Sequence, residues 1–309
     1  MRGLAAFVMR GYSPAVMVVT VFAVLSFVLP PLGIVASAAI GLMTLRRGGM
    51  IGFGLIFAST FACGVLIWAA VGHSKAAAGL LLLAWLPVWA LAIMLRATRS
   101  LNVTVEAGLG FGALIIAAGY LHGGDPVATW KGVLEPVVKS LVDARVMDAG
   151  QAQGFVARMA GWMTGILAAA FYLQTILALF LARWWQAGLY NPGGFQKEFH
   201  DLRLSPVAAV GGAVFSGWIL LQGEAAPLLV RYVALLMLAA FFLQGMAVAH
   251  NIVKRSGMHS GWLAGLYVLL VIGLPYAEIV LALIGLVDPW VDFRARRNGG
   301  SGPSSGKGA

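Results

Sequence analysis

The chain has 309 residues, of which 61% are hydrophobic and 10% are charged, and its formal net charge at pH 7 is +10. A mean hydropathy of +0.90 exceeds what a soluble core requires, so this composition excludes a soluble enzyme, a secreted disulfide-rich domain and a disordered chain. The basic residues lie in pairs beside apolar segments, which favours membrane topology over binding to nucleic acid. We therefore predict an integral membrane protein in contact with the lipid bilayer.

The first apolar region, residues 14–45, is too long for one membrane span and is interrupted by Pro30 and Pro31. It predicts a pair of short helices, which are either tilted full crossings or a re-entrant hairpin. Arg2 and Arg10 resemble the basic start of a signal peptide. The apolar run continues past the possible cleavage site, so we expect the segment to be retained.

Six apolar segments have the length of about 17 to 25 residues that a transmembrane helix requires. A second proline-interrupted region, residues 261–287 with Pro275 near its middle, predicts another pair of short helices. The predicted fold class is all-α: a polytopic transmembrane bundle with six full spans, two proline-broken pairs and therefore six to ten crossings. The six predicted spans are 51–71, 77–95, 104–121, 160–182, 206–222 and 228–250.

The segment over 122–159 carries apolar side chains at helical spacing from Trp130 to Val142, and charged residues such as Lys131 and Glu135 lie largely off that stripe. It predicts an amphipathic helix on the outer membrane surface. The segment is either a connector packed on the bundle or a lid over an outward-facing pocket.

Lysine and arginine accumulate in cytoplasmic loops. If the six spans alternate and each broken pair returns the chain to the side it left, most basic residues fall on one side. We therefore predict that both termini are cytoplasmic. The predicted organisation is a cytoplasmic N-terminus over 1–13, a transmembrane domain over 14–287 with a cytoplasmic loop over 183–205, and a cytoplasmic basic tail over 288–309 that is disordered from 298.

Pairs of glycines four residues apart lie within or beside the predicted spans, for example Gly108 with Gly112 and Gly161 with Gly165. Such a spacing places two hydrogen side chains on one face of a helix and lets neighbouring backbones approach closely. The pattern therefore predicts a compact bundle.

Glu278 is the first candidate for a ligand-binding residue, because it follows Pro275 inside an apolar segment where a charge is costly. A proline leaves backbone carbonyls unpaired, and a broken helix beside a carboxylate could bind a cation or a polar ligand. The alternative is a neutral or paired structural glutamate near the external interface.

A second group of candidates lies at the predicted cytoplasmic interface. His250 ends a predicted span, and Asp288 and Asp292 lie four residues apart beside Trp290 and just before Arg294. Aromatic side chains anchor at the level of lipid headgroups and arginines contact phosphates. The pattern predicts a membrane-interface clamp in which Asp292 pairs with an arginine, or alternatively a docking site for a cytoplasmic partner.

The sequence predicts no catalytic residue, no metal site and no cofactor. Histidines 73, 122, 200 and 259 lie in separate loops without the His-x-x-x-His or His-Glu pairing that is typical of zinc sites. Ser216 has no histidine partner that could activate it as a nucleophile. The single cysteine, Cys63, predicts neither a disulfide nor a thiolate metal cluster.

Three motifs of the carboxyl half resemble the YybS-like family of bacterial membrane proteins: 195–204 (FQKEFHDLRL), 245–250 (GMAVAH) and 285–296 (GLVDPWVDFRAR). The amino half matches more loosely, through the Pro30-Pro31 break and a basic-glycine turn at 46–49. That family is distantly similar to the S components of energy-coupling-factor vitamin transporters and to the rod-shape protein MreD. The resemblance implies a compact helical fold in the bacterial inner membrane. S components bind a vitamin or a cation and associate with a coupling subunit and ATPases, but none of their ligand residues maps onto this chain.

Together these features predict a non-enzymatic, transport-related inner-membrane protein that binds a small-molecule ligand or a membrane partner with an S-component-like bundle. The alternative is an assembly or scaffold protein of the cell envelope. Such a protein would dock cytoplasmic or envelope partners through residues 186–205 and 288–297.

Overall fold

The structure, a computed structural model, describes residues 2–72, 75–259 and 261–294. These residues form thirteen α-helices and one short 3-10 helix at Gly223–Ala225, and they contain no strand, so the predicted all-α fold is confirmed. The helices are α1 Arg2–Met9, α2 Tyr12–Leu25, α3 Leu32–Arg47, α4 Gly49–Val71, α5 Lys75–Thr98, α6 Leu101–Gly123, α7 Pro126–Asp143, α8 Ala149–Tyr190, α9 Gly194–His200, α10 Pro206–Gln222, α11 Leu228–Arg255, α12 Gly261–Ile272 and α13 Tyr276–Val291.

Six of these helices, namely α4, α5, α6, α8, α10 and α11, are long and apolar enough to cross a membrane. Each of them overlaps one of the six predicted spans. The two breaks that proline predicted are also present, between α2 and α3 and between α12 and α13. The chain is a multi-pass helical membrane protein.

Helix α8 is longer than the span predicted within it. It contains 42 residues, which extend over about 63 Å at 1.5 Å per residue, whereas the hydrocarbon of a bilayer is about 30 Å thick. The outer-surface segment predicted over 122–159 is therefore shorter than expected. Its last residues, 149–159, form the beginning of α8. No proline interrupts residues 149–159, and Gln151, Gln153 and Arg158 are good helix formers that extend the helix without being apolar.

The amphipathic segment forms α7, which packs against the first part of α8. The indole Nε1 of Trp130 donates a hydrogen bond to Thr164 Oγ1 on α8 at 2.9 Å, and Val138 is buried. Val133 and Val137 of the same stripe are more than half exposed. The arrangement agrees with a connector packed on the bundle.

The core follows a line of packed helices in which α3 contacts α8, α8 contacts α11, and α11 contacts α13. Glycine makes the last contact possible. A Cβ atom at Gly245 would overlap the backbone of Leu281, and one at Gly285 would overlap the backbone of Phe241. The backbones of α11 and α13 therefore touch, which is the close approach that small residues permit between membrane helices.

Four contacts hold basic residues of separate segments at one end of the bundle. We call this end the basic face and define it by Arg46, Arg47, Arg96 and Arg255. Because α1 and the residues after α13 both take part, the two ends of the described chain lie at this face. That the basic face is cytoplasmic remains a prediction from its charge. The predicted disordered tail from residue 298, with Arg296 and Arg297 before it, lies outside the described residues, as does His73. The contacts are Arg47 to the Met9 carbonyl (3.2 Å), Arg96 to the Leu45 carbonyl (3.1 Å), Arg255 to the Arg294 carbonyl (2.9 Å) and Arg46 over the Tyr190 ring (4.0 Å).

Candidate functional site

Helix α9 folds back against the end of α8. Gly193, in the turn between the two helices, has a φ of +85°, a left-handed conformation that glycine adopts without steric cost. Arg183 of α8 then binds both carboxylate oxygens of Glu198 on α9, with Nε 2.9 Å from Oε2. This bidentate ion pair is a strong, directional contact. It packs the predicted cytoplasmic loop onto the bundle.

Aromatic side chains fill the space beneath α9. The Phe199 ring lies 5.5 Å from the Phe180 ring of α8 and 5.5 Å from the His250 ring of α11. Phe195 stacks on Phe199 at 5.9 Å. Ring pairs at these separations stabilise each other beyond the area they bury. The two phenylalanines of α9 are thus held against α8, and Phe199 also against α11.

A groove of about 940 Å³ lies among α8, α9, α11 and α12. It begins at the basic face, beside Arg2 and Gly193, and continues along α8 to Leu177. The distance from Gly188 to Leu177 along α8 is about 16 Å at 1.5 Å per residue. The walls are apolar and aromatic, and they include Phe180, Trp184, Phe242, Met246 and Leu270.

Polar groups are concentrated at the end of the groove near the basic face. His250 Nδ1 lies 2.8 Å from the Met246 carbonyl, and His250 Nε2 lies 3.1 Å from the Tyr267 hydroxyl of α12. Because a carbonyl only accepts, Nδ1 carries the proton of a neutral ring and Nε2 accepts from the tyrosine. Tyr267 thereby links α12 to α11 across the groove.

The polar side chains at this end of the groove are positively charged or neutral. The described residues that line the groove include no carboxylate, and they do include Arg2, Gln196 and His200. The Gln196 amide oxygen lies 3.4 Å from Lys254 Nζ. Burial lowers the pKa of His200, and so do the nearby His250, Lys254 and Arg294. Asp201 raises this pKa and opposes the other effects.

A buried ion cluster lies behind the groove. Asp288 is completely buried, and its Oδ2 is 3.1 Å from Arg294 Nη2 and 3.8 Å from Arg203 Nε. Arg203 also pairs with Asp292 at 2.7 Å. The Gln244 side chain accepts from the Leu204 backbone N–H at 2.8 Å and donates to Asp288 Oδ2 at 3.3 Å. The buried Asp288 is thus paired with Arg294 where an isolated charge would be costly, and Arg203 joins this pair to the more exposed Asp292.

This cluster positions His200. Arg294 donates to the backbone carbonyl of His200 at 2.7 Å and to that of Leu202 at 2.7 Å. Asn251 of α11 donates to the same His200 carbonyl at 3.1 Å. The connector between α9 and α10 is therefore fixed to α11 and to the end of α13, and the imidazole of His200 lines the groove as a result.

Four residues that the sequence singled out come together here. His250 lines the groove, and Asp288 and Arg294 lie in the ion cluster that holds the connector beside it. Asp292 pairs with an arginine, but the partner is Arg203, which is 89 positions away in the sequence. Whether these residues meet a membrane surface or a protein partner stays a prediction.

The other two candidates lie apart from the groove. Trp290 is 57% exposed and does not line it. Glu278 is exposed in the first turn of α13, and it precedes Asp288 by ten residues, which is about 15 Å along the helix. The structure gives Glu278 no hydrogen bond or ion pair within the described residues. Its role as a ligand-binding residue stays a prediction.

Sequence reasoning did not single out His200, Gln244 or the aromatic wall. Gln244 carried a usable signal, because an amide in the middle of an apolar span needs a hydrogen-bond partner. Phe195 and Phe199 are four residues apart, and this spacing places two side chains on one face of a helix. The identity of the facing surface, however, depends on how α9 folds back, and no local pattern predicts that.

Within the parts of the chain that the structure describes, no three His, Cys, Asp or Glu side chains lie close enough together to hold a metal ion. Comparison of the chain with protein-family models, with curated proteins and with solved structures finds no match. The class that the fold defines is a multi-pass helical membrane protein, and the groove at its basic face is the candidate site.

Proposed function

We propose that the protein binds an amphipathic small molecule in this groove, with an anionic head at the basic face and an apolar body between the membrane helices. One observation carries the proposal. The groove of about 940 Å³ combines apolar, aromatic walls with a polar end that has cationic and neutral groups and, among the described residues, no carboxylate.

The size and depth of the groove suit such a ligand. Pockets for small molecules usually measure about 300 to 1,000 Å³ and are lined mainly by apolar and aromatic side chains. A groove that extends about 16 Å along α8 accommodates an extended apolar chain, since the hydrocarbon of one leaflet is about 15 Å deep. The ligand would therefore remain within the membrane and reach its surface only with its head.

The polar end supplies the contacts for an anionic head. Arg2 presents its guanidinium at the lining, His200 presents an imidazole, and Gln196 adds an amide beside Lys254. A guanidinium forms short, charge-assisted hydrogen bonds with carboxylates and phosphates, and an imidazole N–H also donates to them. A ligand with a cationic head would be repelled by Arg2.

We further propose that the role is ligand binding rather than catalysis, that it is transport-related, and that the membrane is the bacterial inner membrane. The groove opens at the face that we predict to be cytoplasmic, whereas S components bind on the external side. The proposal therefore draws no support from the resemblance to the YybS-like family or to S components.

The alternative role as a scaffold has less support. Its predicted docking surfaces were residues 186–205 and 288–297. Within the described residues, Arg203 binds Asp288 and Asp292, and Arg294 binds Asp288. These contacts join the two surfaces to each other, so the charges of Arg203, Asp288, Asp292 and Arg294 are engaged within the chain.

A substitution that fills the groove tests the proposal. Gly188 lines the groove, and a Cβ atom built there meets nothing within 4 Å. Gly188→Trp should occupy the binding space without displacing its neighbours. Native mass spectrometry of the detergent-extracted protein with added hexadecanoate should show bound ligand in the wild type. The affinity should fall at least about tenfold in the variant, which corresponds to about 1.4 kcal/mol.

Gly110→Trp is the matched control, because Gly110 is an exposed glycine of α6 with equally open surroundings and does not line the groove. It should bind hexadecanoate as the wild type does. Hexadecanol, which has the same chain without the charge, should bind more weakly to all three proteins. Equal binding of hexadecanoate by Gly188→Trp and Gly110→Trp would contradict the proposal.

A further inference from the structure

A second arginine site lies at the end of the bundle opposite the groove. Arg231 is in the first turn of α11, and it precedes His250 on the same helix by nineteen residues. This separation is about 28 Å at 1.5 Å per residue, close to the thickness of about 30 Å of the hydrocarbon in a bilayer. Arg231 is therefore at the opposite membrane interface from the groove.

Aromatic side chains lie near Arg231, and one of them covers a face of its guanidinium. Its Cζ lies 5.1 Å from the centre of the Trp162 ring on α8, a cation–π contact. A Cβ atom at Gly161 would be 3.4 Å from Nη1, so the glycine leaves room for the guanidinium. The adjacent Tyr232 is buried, and its ring lies 6.3 Å from that of Tyr120. Tryptophan and tyrosine are the residues enriched at the level of lipid headgroups.

The described residues give Arg231 no counter-charge. Its buried Nε has no hydrogen-bond partner, and no carboxylate lies within ion-pair distance. Asp125 is the acidic group near Tyr120 and Tyr232; its Oδ1 accepts from the Val127 N–H at 2.8 Å, and it forms no ion pair with Arg231.

Arg231 differs in this respect from the partly buried arginines at the basic face. Arg183, Arg203 and Arg294 each pair with at least one carboxylate. An ionisable side chain within a membrane span is costly, and it usually faces a partner, a water-filled cavity or a ligand. Arg231 therefore has no counter-ion among the described residues, and its charge is available to an anion from outside them.

We infer that Arg231 and the aromatic side chains around it form a binding site for a phosphate group, of the kind carried by anionic phospholipids. The planar guanidinium presents two parallel N–H donors that match a phosphate. Trp162 and the space left by Gly161 fix the position of the guanidinium against α8, and the Arg231 side chain as a whole is only partly buried. This site is independent of the groove, because the two lie at opposite membrane interfaces.

The test is a titration of the purified full chain, in mild detergent, with three probes: phosphatidylglycerol, phosphatidylcholine and inorganic phosphate. Native mass spectrometry counts bound lipid, and thermal unfolding reports the effect of free phosphate. Arg231→Gln should weaken phosphatidylglycerol binding at least about tenfold. Arg231→Lys should keep part of it, because an ammonium retains the charge but loses the two-pronged geometry.

Arg158→Gln is the matched control. Arg158 is an exposed arginine near the same end of α8, and it should leave binding unchanged. A preference for phosphatidylglycerol that Arg231→Gln removes identifies a lipid headgroup as the ligand. A rise in the unfolding temperature with inorganic phosphate that Arg231→Gln removes identifies free phosphate.

Unchanged phosphatidylglycerol binding and phosphate response in Arg231→Gln would overturn the inference. If Arg231→Gln does not accumulate as folded protein, Trp162→Leu answers the same question. It should weaken phosphatidylglycerol binding several-fold by removing the ring that orients the guanidinium, and wild-type affinity in that variant would also overturn the inference.

Discussion

The two proline-broken helix pairs start from similar apolar sequences, but α3 of the first pair and α12 of the second occupy opposite environments. In the first pair, every residue of α3 from Val35 to Leu45 is buried, and α3 packs against α2, α4, α5 and α8. In the second pair, α12 has no buried residue, and its main contacts are with its neighbours α11 and α13. Helix α3 lies in the centre of the bundle, and α12 forms one side of the groove.

Side-chain size explains the difference better than hydropathy does. Between Ala36 and Gly41, α3 carries alanine, serine and glycine at every position but Ile40, whereas α12 carries large apolar or aromatic residues at nine of its twelve positions. Small side chains let neighbouring backbones approach, and in a membrane lipid tails solvate large apolar side chains as well as protein does. A Cβ atom at Gly41 would be 2.9 Å from the Ala182 Cβ of α8. Helix α3, which is less apolar than α12, is therefore the central one.

The largest expected effect comes from removing one large side chain from each helix. Ile40 is fully buried in α3, and Leu269 of α12 is 57% exposed. Ile40→Ala should lower the free energy of unfolding by about 2 to 5 kcal/mol, because it leaves a cavity that neighbours fill only partly. Leu269→Ala should change it by less than about 0.5 kcal/mol.

Titration with sodium dodecyl sulfate in mixed micelles measures both free energies on the same scale. The matched control is the double variant, whose loss should equal the sum of the single losses because the two sites share no neighbour. Equal destabilisation by the two single variants would contradict the assignment of α3 to the centre and of α12 to the edge.

The comparison also shows which parts of this protein its sequence could predict. Hydropathy and the positions of Pro30, Pro31 and Pro275 predicted the six spans and both breaks, because the bilayer sets the length of each apolar segment. Neither hydropathy nor the proline positions showed that α3 lies in the centre and α12 at the edge, because that depends on the shape of the facing helices. A four-residue glycine spacing did indicate contact: a Cβ atom at Gly108 would be 2.8 Å from the side chain of Ile176.

The candidate site was less accessible to sequence reasoning. His250, Asp288 and Arg294 stood out because polar groups are rare beside apolar spans. Their neighbour Arg203 did not stand out, because an arginine in a basic loop is already explained by membrane topology. Its pairing with Asp292 spans 89 positions and becomes visible only when α10, α11, α12 and α13 are in place. Glu278 stood out by the same argument as His250 and lies elsewhere.

A smaller effect is expected from the hydrogen bond between Tyr267 and His250, which links α12 to α11 across the groove. Tyr267→Phe removes the hydroxyl that lies 3.1 Å from His250 Nε2. A hydrogen bond of this kind contributes about 0.5 to 1.5 kcal/mol, which is up to about tenfold in an opening equilibrium. Hydrogen–deuterium exchange of the backbone amides of α12 should become faster by that factor, whereas exchange in α3 should not change.

Tyr276→Phe serves as the control for that measurement. Tyr276 is a tyrosine of α13 that is 77% exposed, and its hydroxyl makes no hydrogen bond within the described residues. Its removal should leave the exchange of α12 as it is in the wild type. Unchanged exchange of α12 in Tyr267→Phe would show that packing alone holds this helix beside the groove.

The smallest effect should appear with pH, and only at the α12 side of the basic face. The α3 side carries Arg46 and Arg47, which stay charged between pH 5 and 8. The groove side carries His200, whose pKa is lowered from its usual 6.5 by burial and by neighbouring positive groups. The folded protein therefore binds this proton less readily than the unfolded chain does. Its stability should fall as the pH drops below about 6.5.

Thermal unfolding between pH 8 and pH 5 of the wild type and of His200→Gln isolates this contribution. The wild type should lose more of its unfolding temperature on acidification than the variant, because glutamine has no proton to gain. Carboxylates elsewhere titrate equally in both proteins, and the difference between the two curves removes them. If the two curves are parallel, protonation of His200 costs the folded state nothing. The imidazole would then be solvated in the groove rather than held against Lys254 and Arg294 by the connector.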